Sequence, residues 1–205
     1  MLVERRRSRL FYRYFSAVFD SINPFFYNDR MRRILLDRAR ISKGDLILDI
    51  GSGTAYTTLA ASKRSEAMVV GIDLSPEMLK RARRKSEGVD PPPLLALSNA
   101  YHLPFRSSVF EAVISAGAIE YWRETRPIFA GMRRVMRRGG RLSILGPREP
   151  TTPILRQLSS MLLRFVVEDQ IVSLLRDAGF REVESVSVGP RMVMEKLAVV
   201  CSGLK

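Results

Sequence analysis

Two acids and a glycine loop have the first spacing in this chain that could do chemistry. Asp49-Ile-Gly51-Ser52-Gly53-Thr54 follows a short apolar run, and Asp73 stands 22 residues beyond Gly51. Glycines after a first strand let backbone approach a ligand closely and aim the first amides of the next helix at it. An acid ending a second strand can accept both hydroxyls of a ribose. The alternative for Asp73 is to cap the following helix, a role Ser75 already fills. Ala55 stands where a dinucleotide loop needs its third glycine. The loop is also led by an acid, Asp49, which suits an ammonium better than a pyrophosphate.

The elements that must position these residues follow from the hydrophobic rhythm. Leu46 to Ile50 reads as a buried strand, with a helix over about Thr54 to Lys63. Ala67 to Asp73 is the next strand. Ser75-Pro76-Glu77 opens a helix to about Lys85, with Ser as N-cap, Pro first and an acid in the first turn. Leu94 to Leu97 and Phe110 to Ala116 are further strands. A helix over about Glu124 to Met136 is expected to stop at Arg138-Gly139-Gly140, before a strand from Arg141 to Leu145. A helix from Glu168 to Ala178 precedes a closing antiparallel pair, Glu182 to Val188 and Met192 to Cys201. Ahead of all this, Leu10 to Phe19 and Asn28 to Arg40 carry helical spacing. Alternating strands and helices imply an α/β fold with a mostly parallel sheet.

Composition limits the classes available. The 205 residues suit one domain with one main core, and 46% hydrophobic residues exclude a disordered or low-complexity chain. One cysteine, Cys201, allows no internal disulfide and suggests an intracellular, cytoplasmic setting. With one Cys and one His (His102), a Cys/His zinc cluster is excluded and no metal is expected. No apolar run reaches a spanning length. The net charge of +13, from 28 Arg and 6 Lys against 21 acids, points to an anionic partner or to a compositional habit.

In these ordered parts the chain resembles the class I S-adenosylmethionine (SAM) dependent methyltransferases, from about Val18 onward. Leu48 to Thr54 is similar to their first motif and Val70 to Pro76 to their second. Asn99-Ala100-Tyr-His-Leu-Pro-Phe105 resembles their adenine loop. Phe110 to Val113 and Val135 to Leu142 resemble the fourth- and fifth-strand motifs. The resemblance implies a Rossmann-like seven-stranded sheet with helices on both faces. It implies that Asp49, Gly51, Ser52, Gly53 and Thr54 surround the methionine end of SAM. Asp73 would take the ribose hydroxyls, Leu74 would pack on adenine, and Asn99 and the Ala100 backbone would meet its edge. Ala116 would lie beside the sulfonium. Asn99 departs from the usual Asp, but its carbonyl can still accept from the adenine amino group.

Val18-Phe-Asp20-Ser-Ile-Asn-Pro with Tyr27 is similar to the N-terminal motif of ubiquinone and menaquinone C-methyltransferases. Ser115 to Trp122, Leu145-Gly-Pro147, Gly189-Pro-Arg and the ending Cys201 to Lys205 resemble the methyl-prenyl-benzoquinol methyltransferases of the tocopherol and plastoquinone pathway. That resemblance implies a lipophilic quinol as substrate, and neither a transit segment nor a C-terminal membrane tail is expected here. Ring C-methylation needs an electron-rich carbon in line with the sulfonium methyl, and loss of a hydroxyl proton supplies it. Glu120 is the candidate base, or else a first-turn acid of a helix. His102 is the other candidate, or else packing on the adenine loop. Tyr121 and Trp122 stack on the quinol ring or fill the core. Tyr14, Phe19, Asp20 and Tyr27 cover the site as a lid or join the core.

Residues 1–42 would then form a basic helical lid and 43–205 the SAM-binding domain, with a substrate-covering insertion at about 147–167. Ile154 to Phe165 would receive a prenyl tail or pack on the sheet. Arg5, Arg6, Arg7, Arg9 and Arg13 beside Leu10, Phe11, Tyr12 and Phe15 suit a peripheral site on an anionic membrane. A nucleic-acid methyltransferase would also explain the charge. Ala-Gly-Ala-Ile-Glu-Tyr, however, stands where base-amino methylation uses an Asn/Asp-Pro-Pro-aromatic tetrad. A SAM-binding protein without turnover is the third reading. Oligomeric state is not legible.

Overall fold

A computed structural model of the 205-residue chain describes residues 27–149, 167–189 and 197–205. The predicted first helix over Leu10 to Phe19, the lid residues Tyr14, Phe19 and Asp20, and the apolar stripe Ile154 to Phe165 lie outside them.

Helix α1, Asp29–Ala39, starts where Asn28 accepts from the Met31 amide at 3.0 Å, with Asp29 in the first turn. Its Met31, Leu35, Leu36 and Ala39 are buried, and Arg40 ends it in the left-handed region. Strand β1 is Leu46–Ile50, helix α2 Tyr56–Ser65, strand β2 Met68–Asp73 and helix α3 Pro76–Lys85. Then come β3, Leu94–Leu97, and β4, Phe110–Ala116. A 3₁₀ turn at Ile119–Tyr121 leads to α4, Thr125–Val135, and β5, Met136–Pro147. Helix α5, Glu168–Asp177, and strands β6, Arg181–Val188, and β7, Ala198–Leu204, close the chain.

The strands form one sheet in the order β3-β2-β1-β4-β5-β7-β6. All pairs are parallel except β7 against β5 and against β6. This is the mostly parallel α/β sheet the alternating pattern predicted, with the seven strands the resemblance implied. Strands β1, β3 and β4 match their predicted bounds. Helix α2 starts two residues later than expected, because Ala55 adopts φ +69° and serves as its N-cap. Burial of Phe129, Ile128 and Met132 on α4 against Leu142, Ile144 and Val113 fills one face of the sheet, and α1 and α2 cover Ile47, Ile114 and Leu145 on other faces of the core. Such burial is the main favourable term for the fold.

Two expectations are corrected. Strand β7 runs over Ala198–Leu204, past the expected end at Cys201. Arg138-Gly139-Gly140 is not a helix stop: α4 ends at Val135, and the glycines lie inside β5. A Cβ at Gly140 would sit 2.8 Å from the Glu111 carbonyl oxygen. The glycine is there so that β5 can approach β4, in a stretch where their register shifts.

Candidate active site

Three groups of residues meet where the parallel strands end. The first is the glycine loop after β1. Gly51 has φ +74°, and a Cβ there would lie 2.4 Å from the Cβ of Ala118. Only glycine lets this loop turn and rest on the segment after β4. The amides of Gly51 and Ser52 donate to the Ile72 carbonyl at 2.8 and 3.0 Å, and Gly53 N donates to Asp73 Oδ2 at 2.9 Å. Three loop amides are thus spent on β2 rather than aimed outward. What remains directed to a ligand is the start of α2, which no side chain caps.

Asp49 lies beneath this loop, 1% exposed. Its Oδ2 accepts from Thr58 Oγ1 at 2.7 Å, while Oδ1 is buried without a partner. Burial raises its carboxyl from 3.8 to about 7; Thr58 opposes this and Asp73 adds to it. Ser52 Oγ is also buried and unpartnered. A buried carboxylate oxygen lacking a donor fits the ammonium of a bound amino acid moiety. Asp73 Oδ1 accepts from Ser75 N at 2.8 Å, so Asp73 clamps both the glycine loop and the next turn. Its carboxyl is also raised, chiefly by burial. Each oxygen still has a lone pair for a hydroxyl. Leu74, beside it, is 59% exposed, an apolar surface open to a flat ring.

The second group follows β4. Ser115 Oγ donates to the Ile50 carbonyl at 2.7 Å, tying the ends of β4 and β1 together. Gly117 takes φ +68°, and a Cβ there would meet Tyr27 Cε2 at 2.6 Å. The Tyr27 ring lies in that space, with Ala116 half-buried nearby. Tyr27 Oη donates to Glu120 Oε1 at 2.8 Å, and Glu120 Oε2 is buried without a partner. Burial pushes the Glu120 carboxyl up to about 7 and the Tyr27 phenol well above its ordinary value. Tyr121 is 46% exposed, its phenol raised to about 12 by burial and by Glu120. Trp122 turns the other way, into the core, edge-on to Phe129 with centroids 6.3 Å apart.

The third group is the loop after β3. Asn99 Oδ1 accepts from Tyr101 N at 3.0 Å and its carbonyl accepts from His102 N at 3.0 Å, which folds the loop on itself and leaves Ala100 half-buried. Tyr101 Oη accepts from the amides of Arg123 and Glu124, at 3.0 and 3.1 Å, and so links this loop to the Glu120 segment. His102 is exposed, and no hydrogen bond of the described residues connects its ring to Glu120.

The structure therefore joins Asp49, Gly51, Ser52, Gly53 and Asp73 through hydrogen bonds and the loop fold, and it joins Tyr27 to Glu120. Thr54 is buried and accepts from Lys85 Nζ at 3.1 Å. Sequence reasoning missed Thr58, Gly117, Ala118 and Tyr101. A glycine directly after a strand was the available signal for Gly117. Nothing in sequence spacing marked Thr58, whose role depends on where one turn of α2 lands. Among the described residues, no group of three or more His, Cys, Asp or Glu side chains could hold a metal.

Residues 48–144 match the family described as a methyltransferase domain. The chain is 34% identical over 186 residues, 88% of its length, to 2-methyl-6-phytyl-1,4-hydroquinone methyltransferase 2, chloroplastic, of Oryza sativa subsp. japonica, covering 52% of that protein. It is 28% identical over 138 residues, 66% of its length, to a demethylmenaquinone methyltransferase of Staphylococcus epidermidis, covering 57% of it. The chain thus spans about half the length of the curated relatives it matches. Its fold superposes on a Haloferax volcanii methyltransferase solved with the Trm112 activator, with a TM-score of 0.80, 17% identity and 96% of each chain covered. Residues 48–144 thus match a methyltransferase domain, and the strand order is the fold of solved methyltransferases.

Proposed function

We propose that this protein transfers a methyl group from SAM to a ring carbon of a prenylated quinol. The observation that carries this reading is the buried Tyr27–Glu120 pair directly after β4, with a carboxyl whose affinity for a proton is set near neutrality. Asp49, Gly51, Ser52, Gly53, Thr54, Asp73, Leu74, Asn99, Ala100 and Ala116 are the residues to hold SAM, which supplies an electrophilic methyl on a sulfonium. Asp49 offers its unpartnered oxygen to the amino acid ammonium, and Asp73 offers lone pairs to the ribose.

Glu120 takes or shares the proton of a quinol hydroxyl, and Tyr27 holds the carboxylate in place by donating to its other oxygen. A base near pH 7 contributes a typical ~10²–10⁴-fold, whereas orienting the ring in line supplies ~7–11 kcal/mol. Positioning is therefore the larger share, and the exposed Tyr121 ring is a surface on which a quinol can stack. His102, exposed on the adenine loop, serves in this reading as part of that loop and not as the base. The named activities of the rice and Staphylococcus relatives support a lipophilic quinol as acceptor.

The basic and aromatic residues near the N-terminus support attachment to the anionic surface of a membrane from the cytoplasmic side. No helix among the described residues is long and apolar enough to cross one.

Labelled SAM incubated with a panel of chemically reduced quinones tests the reading. Methylated quinol from at least one prenylated member is expected. Label passing to nucleic acid instead, with none in any quinol, would overturn it.

A further inference from the structure

We infer that the rim of the sheet opposite the glycine loop carries a second binding site, for a phosphate group, formed by Arg133, Arg138, Arg181 and Lys205. These side chains and Gly179 line a cavity of about 340 Å³. The place is fixed by topology. Strands β4 and β5 run parallel from Phe110↔Met136 to Ala116↔Leu145, and the glycine loop follows the far end of β1, the other neighbour of β4. Met136 to Gly140 is therefore the near end, and the cavity is remote from the cofactor residues.

Two of the cations are held in place by backbone. Arg133 Nε donates to the Gly179 carbonyl at 3.1 Å, and Lys205 Nζ donates to the Met136 carbonyl at 2.6 Å. Gly179 has φ +87°, and a Cβ there would lie 3.1 Å from Arg133 Nε. Glycine thus leaves room for the guanidinium. Other arginines nearby are neutralised: Arg137 by Glu111, Arg141 by Glu182 and Arg126 by Asp177. No side-chain carboxylate of the described residues pairs with any of the four. Burial, then the charges of Arg133 and Arg138, lower the Lys205 pKa, as expected where cations crowd. Guanidinium forks and an ammonium converging on one cavity match the tetrahedral oxygens of phosphate. A soluble phosphate compound and a phospholipid headgroup share that chemistry.

Pyrophosphate titration by calorimetry at physiological salt, with vesicle sedimentation alongside, tests the site. The vesicles are phosphatidylcholine with or without phosphatidylglycerol. Affinity for pyrophosphate is expected to fall about tenfold or more in R138Q/R181Q. It should fall less than about twofold in R83Q/R84Q, an equal loss of exposed charge on α3. Gly179→Ala, which moves Arg133 without changing net charge, should also weaken it. Capture by phosphatidylglycerol vesicles that R138Q/R181Q weakens and R83Q/R84Q does not, without pyrophosphate binding, identifies a headgroup as the source. Equal losses in the two double variants, or no binding in either arm, would overturn the site.

Discussion

Burial pushes the Glu120 carboxyl from 4.5 to about 7, while its own backbone and the Tyr27 hydroxyl pull it down. The native carboxyl therefore binds a proton more tightly than the unfolded chain does. Stability falls as pH rises from about 4.5 to about 7 and stays reduced above that, by about 3 kcal/mol for a shift of this size. Glu120→Gln keeps an acceptor for Tyr27 but carries no charge. At about pH 8 it should melt at a higher temperature than the wild type, and the gain should vanish near pH 4.5. Its methyl transfer should nonetheless drop about 10²–10⁴-fold. Calorimetry and turnover on the same samples check this; a Gln variant that is less stable at pH 8 contradicts the burial account. In Tyr27→Phe, the lost hydrogen bond lets the Glu120 pKa rise further. The acidic limb of the pH–rate profile should move to higher pH.

At the scale of elements, the site depends on how loop and strand ends touch. Gly117→Ala places a Cβ 2.6 Å from the Tyr27 ring at φ +68°. It should destabilise the protein by ~1–3 kcal/mol and disturb the Tyr27–Glu120 pair, read as a lower melting temperature and lower turnover. Asp73→Asn retains an acceptor for one loop amide but removes the charge proposed to face the ribose. SAM affinity should weaken about tenfold or more by calorimetry; equal affinities would remove Asp73 from the ribose site. The strands and the loop were legible because a five-residue apolar run ending in Asp-Ile-Gly-Ser-Gly allows few other readings. The Ser75-Pro76-Glu77 start of α3 was legible for the same reason, as local cap chemistry. Gly139-Gly140 was misread as a helix stop, because glycine at a cap and glycine at a close strand approach look alike in sequence. That Tyr27 and Glu120, 93 residues apart, form one pair was not legible, since it depends on how α1 docks against β4 and β5. Nor could sequence decide between stacking and core for Tyr121 and Trp122. One residue of offset in the 3₁₀ turn sends the first outward and the second inward.

For the whole molecule, the +13 charge remains the least assigned property. Exposed pairs such as Arg38–Glu184 and Arg64–Asp37 involve acids already counted in that net charge, and they contribute little to stability. If the N-terminal basic segment meets an anionic bilayer, binding to anionic vesicles should weaken steeply with salt. Deleting residues 1–13 should weaken it strongly, and binding unchanged by the deletion would remove the membrane role of that segment. The proposed activity is narrower: transfer of the SAM methyl group to a ring carbon of a prenylated quinol, with Glu120 as the proton acceptor. Reaction of ¹³C-methyl SAM with a reduced prenylated quinone, followed by NMR of the product, tests it most directly. The account predicts a labelled methyl bonded to a ring carbon, formed by the wild type and nearly absent with Glu120→Gln. A labelled methyl on oxygen, or a carbon-methylated product formed equally well by Glu120→Gln, would contradict it.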